Sequence, residues 1–126
     1  PSRELILIGV TGTNGKTTTS YYIAKALEAS GFQTGCSTTA IVKVGVREWL
    51  NTTKMTMPGR FALQRLLRQM VQAGCRYAVI ETSSQGLVQH RHETGGRRAS
   101  RFTAFISSAV KLSRVRILVK CQHDKY

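Results

Sequence analysis

Gly12-Thr13-Asn14-Gly15-Lys16-Thr17-Thr18 puts two glycines, a lysine and three hydroxyls into seven consecutive positions. Glycines let main-chain N–H groups approach an anion closely, a lysine adds a full positive charge, and a threonine hydroxyl can hold a magnesium ion. Together these are the parts of a phosphate cradle. A second candidate is Glu81, which follows the apolar run Tyr77-Ala78-Val79-Ile80. An acid at the end of a buried strand beside such a loop can hold magnesium directly or through water. Thr17 and Glu81 are therefore the candidate metal ligands, and Lys16 and Glu81 the candidate catalytic pair.

The flanking segments have the patterns needed to position these groups. Leu5 to Val10 is a continuous apolar run, the mark of a strand buried on both faces in a parallel sheet. Thr17 to Gly31 reads as a helix with Gly31 as its stop, so the glycine loop feeds a helix N-terminus, which favours anions. Strand, glycine loop, Lys-Thr and helix in that order form the P-loop arrangement, in which the lysine reaches the β- and γ-phosphates of ATP. Residues 32–50 suit two short strands joined by a turn at Gly45, with Ile41, Val42, Val44, Val46 and Trp49 in the core or on a sheet face. Beyond Pro58, Leu63, Leu66, Leu67, Met70 and Val71 form the apolar stripe of a helix that ends at Gly74, with Arg60, Arg65 and Arg68 off the stripe. Alternating strands and helices predict an α/β fold with a parallel sheet, whose ligand crevice lies at the carboxyl ends of the strands. Lys16 and Glu81 both fall there.

The general P-loop pattern has a glycine five residues before Gly15, and this chain has Val10. With GTNGKTT intact, that exception resembles the loop of the Mur ligase superfamily, which makes amide bonds using ATP; folylpolyglutamate synthase shares the loop. The segment ETSSQGLVQHR at 81–91 is similar to the E-V-S-S-H-G-L-x-x-x-R segment of the UDP-N-acetylmuramoyl-tripeptide synthetases within that superfamily. The resemblance implies that Gly12 to Thr18 bind ATP and that Glu81 binds Mg2+. It implies also that Ser83, Gln89 and Arg91 contact a UDP-MurNAc-peptide, to which an amino acid is joined through an acyl phosphate. Pro58 and Gln64 keep the spacing that follows the family's T-T-P turn, which puts Thr56 on its first threonine, a substrate contact, and Met57 on its second. Asn51 to Thr53 offers a nearby substitute for the lost hydroxyl. Gln85 replaces a histidine and can exchange hydrogen bonds but not take up a proton.

The resemblance runs over residues 4–91. It predicts a partial, P-loop central domain over 1–91, with an incomplete sheet, and a divergent basic tail over 92–126. The acid and the metal-site histidine that the family carries next are not recognisable in the tail, where the pair His123-Asp124 comes too late and without the preceding strand. The expectation is an out-of-frame or decayed segment, and, since the chain starts at Pro1, a partial product limited to nucleotide binding. An open apolar edge is expected beside Tyr77 to Ile80 unless 102–110 or 115–119 pairs there.

The formal charge is +13, with ten Lys and Arg against four acids over 1–90 and nine against two over 91–126. A basic nucleic-acid-binding module is the rival that this charge raises. Dispersed arginines, with no interleaved aromatic platform and no binding motif, argue against nucleic acid as a partner. No apolar run approaches the ~20 residues of a membrane span, so no membrane partner and a cytoplasmic location are expected. Cys36, Cys75 and Cys121 lack the paired spacing of a zinc site and read as reduced, inert thiols.

Overall fold

The computed structural model describes residues 4–56, 58–83, 104–108 and 116–119. The described elements are β1 (Ile6–Gly12), α1 (Lys16–Ala29), β2 (Thr34–Ser37), β3 (Ile41–Val44), β4 (Arg47–Leu50), α2 (Arg60–Gln72), β5 (Tyr77–Glu81), β6 (Ala104–Ser108) and β7 (Arg116–Val119). The strands form one sheet in the order β4-β3-β2-β5-β1-β6-β7. β2, β5, β1 and β6 run parallel, from the register Thr34↔Tyr77 through Ile6↔Tyr77 to Ile8↔Ala104.

The sheet is mixed, which corrects the wholly parallel sheet expected from the sequence. β3 and β4 are antiparallel to their neighbours, and so is β7 to β6. The reason lies in the connections: only residues 38–40 separate β2 from β3, and Gly45 and Val46 separate β3 from β4. A parallel return needs a crossover of a dozen or more residues, so such short links can only reverse the chain. Residues 32–50 thus make three strands rather than two. Beyond Arg91, β6 lies against β1 and not beside β5, whose two neighbours are β1 and β2.

The two helices cover opposite faces because β-strand side chains alternate. Leu7, Ala78 and Ile80 point to the face where α2 brings Leu63, Leu67 and Met70, with Leu66 and Val71 packed at the margin. Val10, Cys36 and Val79 point to the other face, where α1 brings Ala24, flanked by Ile23 and Leu27. The apolar stripe expected for the second helix is the buried one. Gly31 and Gly74, at φ +88° and +77°, stop α1 and α2 as read from the sequence. At Gly35 in β2 a Cβ would lie 2.6 Å from Met70 Cγ, so the absent side chain is what lets α2 close on the sheet.

The β3–β4 hairpin stands away from this core. Val44 is buried and Trp49, 44% exposed, lies on a sheet face in β4, as expected, but Val46, 88% exposed in the turn between β3 and β4, belongs to neither the core nor a sheet face. Trp49 and Leu50 face Phe61 and Leu66 of α2 across an open groove of about 490 Å³. On the α1 side, Lys43 is buried and its ammonium lies 2.6 Å from Glu28 and 3.9 Å from Glu48. This ion pair ties the hairpin to α1. No helix among the described residues is long and apolar enough to cross a membrane.

Candidate functional site

β1 ends at Gly12, and the chain turns through Thr13 and Asn14 into Gly15, which caps α1 in the left-handed region at φ +76°. A side chain at Gly15 would be strained there, although the space above it is open for 4 Å. The first intrahelical bond is Thr19 N–H to Gly15 O, at 2.9 Å. The N–H groups of Lys16, Thr17 and Thr18 precede it and are directed out of the helix end. No side chain caps this terminus. Lys16 Nζ donates to Gly12 O at 3.0 Å and Thr13 O at 3.4 Å, which keeps its charge over the loop. Lys16 thus has partners within the loop itself.

Glu81 ends β5 opposite Val10 of β1 and is only 2% exposed. The strand end is fixed by Thr82, whose N–H and Oγ1 both donate to Val10 O, at 2.7 and 3.1 Å. Thr17 Oγ1 donates to Glu81 Oε2 at 2.9 Å. Thus the two candidate metal ligands, one at the start of α1 and one at the end of β5, come together as oxygen donors at the mouth of the loop. Among the described residues no three His, Cys, Asp or Glu side chains gather into a metal-binding group. A single carboxylate with a hydroxyl fits magnesium, which keeps several waters and takes one or two carboxylates beside phosphate oxygens.

Sequence reasoning missed Thr39. It follows β2, whose register with β5 pairs Ser37 with Ile80 and so brings the next residues beside Glu81. Its backbone N–H donates to Glu81 Oε2 at 2.8 Å and its Oγ1 to Oε1 at 3.1 Å. Thr39 Oγ1 also lies 3.3 Å from Thr56 Oγ1. Thr56 is thereby joined to the site. The only signal in the sequence was a hydroxyl run, Ser37-Thr38-Thr39, at the end of a strand. Asn51 holds this corner together: its Nδ2 donates to Thr38 O at 2.8 Å and to Met55 O at 3.2 Å.

The substitute hydroxyl considered for Met57 does not converge on the site. Thr53 Oγ1 donates to Asn51 Oδ1 at 2.6 Å in an exposed turn. Ser83 is half-buried two residues after Glu81. Met57, Gln85, Gln89, Arg91 and Cys121 lie outside the described residues. Burial and then the nearby Glu81 charge push the Cys36 thiol up to about 12, and burial raises Cys75 as well. Both described cysteines are free.

With this geometry in place, comparison with known proteins gives one consistent family. The family model of the Mur ligase middle domain matches residues 10–104. The chain is 47% identical over 87 residues to the UDP-N-acetylmuramyl-tripeptide synthetase of Roseiflexus sp. (strain RS-1), covering 69% of this chain and 17% of that protein. It is 45% identical over 102 residues to the UDP-N-acetylmuramoyl-L-alanyl-D-glutamate--2,6-diaminopimelate ligase of Chlorobaculum tepidum, covering 81% of this chain and 20% of that one. A solved structure of a UDP-N-acetylmuramoyl-L-alanyl-D-glutamate--2,6-diaminopimelate ligase superposes with a TM-score of 0.61 at 33% identity, over 69% of this chain and 17% of its own. The chain therefore spans about a fifth of the length of the curated relatives it matches. With the family match covering most of its length, from the end of β1 to the start of β6, this chain belongs to the Mur ligases through their middle domain.

Proposed function

We propose that this chain carries the ATP- and magnesium-binding half-site of a cytoplasmic ligase that joins an amino acid to a UDP-MurNAc-peptide in peptidoglycan precursor synthesis. The observation that carries the reading is the 2.9 Å bond between Thr17 and Glu81 at the mouth of a glycine loop. The names of the relatives, a UDP-N-acetylmuramyl-tripeptide synthetase and a 2,6-diaminopimelate ligase, support this acceptor over the folate-type alternative.

In this reading the N–H groups from Thr13 to Thr17 cradle the phosphates and Lys16 offsets their charge. Gly12, Asn14, Gly15 and Thr18 complete the loop around them. Magnesium, when bound, neutralises charge that develops on the transferred phosphoryl oxygens. Thr17 and Glu81 are the residues that would hold it, with Thr39 keeping the Glu81 carboxylate aimed at Thr17. Thr56, Ser83, Gln89 and Arg91 hold the UDP-MurNAc-peptide, the guanidinium clasping carboxylate or phosphate oxygens and the neutral groups orienting it. We place this machinery in residues 1–91 and treat 92–126 as a divergent basic segment, on the change of composition at Arg91. In relatives about four times as long the rest of the reaction has the rest of the chain to rely on.

Calorimetric titration of ATP with and without Mg2+ tests the half-site. Binding that needs Mg2+ and survives moderate salt is expected. Binding only of a random oligonucleotide, lost as salt rises, would replace this reading with the nucleic-acid one.

A further inference from the structure

The protons around Glu81 can be assigned from which of its neighbours are able to donate. A carboxylate accepts hydrogen bonds and has none to give. Oε2 therefore receives the Thr17 hydroxyl and the Thr39 N–H, and Oε1 receives the Thr39 hydroxyl at 3.1 Å. Thr39 has a single hydroxyl proton, and a charged acceptor at 3.1 Å holds it against the neutral Thr56 oxygen at 3.3 Å. The contact between the two threonines is then closed by the Thr56 proton, with Thr56 donating and Thr39 accepting. Half-buried Thr56 is left with lone pairs alone to offer a ligand.

We propose that Thr39 is a positioning residue that sets this polarity. The group of the acceptor substrate seated on Thr56 is accordingly a hydrogen-bond donor, an amide N–H or a sugar hydroxyl, and not a carboxylate or phosphate oxygen. The proposal rests on the reading of Thr56 as a substrate contact. It adds the chemical class of the group that Thr56 takes, and it assigns to Thr39 a role in selecting that group from one side chain away.

The test titrates the chain with UDP-MurNAc-L-Ala-D-Glu and with altered forms of it. In the donor-deleted forms an amide N–H is methylated or a sugar hydroxyl is removed; in the other a carboxylate is replaced by a carboxamide. The proteins are the unaltered chain, Thr39→Ser, Thr39→Val and Thr56→Val. One donor-deleted ligand is expected to bind about fivefold to tenfold more weakly to the unaltered chain and to Thr39→Ser, and to lose nothing on Thr56→Val. Thr39→Val keeps the backbone bond to Glu81 but removes the acceptor of the Thr56 proton; the Thr56 oxygen, no longer polarised by donating, accepts more weakly, so the penalty for deleting that donor is expected to shrink there too. A purely structural Thr39 would weaken all ligands alike and leave their order unchanged, which overturns the proposal. So does coupling of Thr56 to the carboxylate, or to none of the altered groups. Failure of the parent ligand to bind the unaltered chain overturns the proposed function and this inference with it.

Discussion

Thr17 and Glu81 are 64 positions apart in the sequence and 2.9 Å apart in the fold. The bond joins the first turn of α1 to the last residue of β5, and both are anchored to β1, one through the loop and the other through the strand register.

Lys16→Ala is expected to lower ATP–Mg2+ affinity by about tenfold to a hundredfold, the worth of a charge-assisted hydrogen bond or two. The melting temperature should hardly move. Its partners are two loop carbonyls in a half-exposed position, which water can satisfy in its place. Calorimetry and a thermal melt check both parts, and equal nucleotide affinity in the two proteins would remove Lys16 from the phosphate site.

Glu81→Gln is expected to abolish the gain in ATP affinity that Mg2+ confers, so that titrations with Mg2+ and with EDTA coincide. One of its two terminal atoms becomes an amide nitrogen, which cannot accept the bonds now made by Thr17 and Thr39. A loss of stability of about 1–3 kcal/mol should accompany it, measured by urea unfolding. Retention of the full magnesium effect would mean that the ion is held elsewhere.

Stability is expected to fall as pH rises from 9 towards 12, and Cys36 to be the main cause. Its thiol lies at about 12 in the fold against 9.0 for an unperturbed one. The folded chain therefore keeps a proton that the unfolded chain releases in this window; the stabilisation is full below pH 9 and lost on the way to 12. The slope due to this group is about 1 kcal/mol per pH unit. Urea midpoints at pH 8, 9.5 and 10.5 for the unaltered chain and Cys36→Ala would reveal it as a difference in slope, separate from any constant offset due to the smaller side chain.

Lys43→Met is expected to cost about 1–3 kcal/mol, since it leaves Glu28 and Glu48 facing each other with only the half-exposed Lys25 nearby. Lys43→Met and Glu28→Gln together should cost less than the sum of the two single changes, because the second removes a charge that the first has stranded. Additive losses in urea unfolding would show that Lys43 acts through its packed stem and not through its charge.

How much of this was legible beforehand differed from element to element. The loop and α1 could be read because seven consecutive residues and a helix stop point the same way. α2 could be read because Leu63, Leu67 and Met70 repeat at the helical period. Glu81 stood out as an acid closing an apolar run. Thr39 did not, because nothing near it in the chain marks it; its role arises only when β2 pairs with β5. Val46 misled because an alternating apolar pattern runs on unbroken through the turn of a hairpin, and only the pairing of β3 with β4 shows where the chain reverses. The antiparallel turns were present in the loop lengths.

The position of β1 also bears on how the chain is made. Of the described strands β1 is made first, and it lies between β5 and β6, so its partners on both sides are made at least 65 residues later. Until they emerge, Leu5 to Val10 has no partner strands, and pairing by parallel strands so distant in sequence is slow. The loop and α1 can form early, but the carboxylate that faces them arrives only with β5. From the synthesis of β1 until that of β5 the nascent chain thus presents an unpaired apolar segment, and a chaperone that shields such segments during synthesis has a target here well before the phosphate site exists.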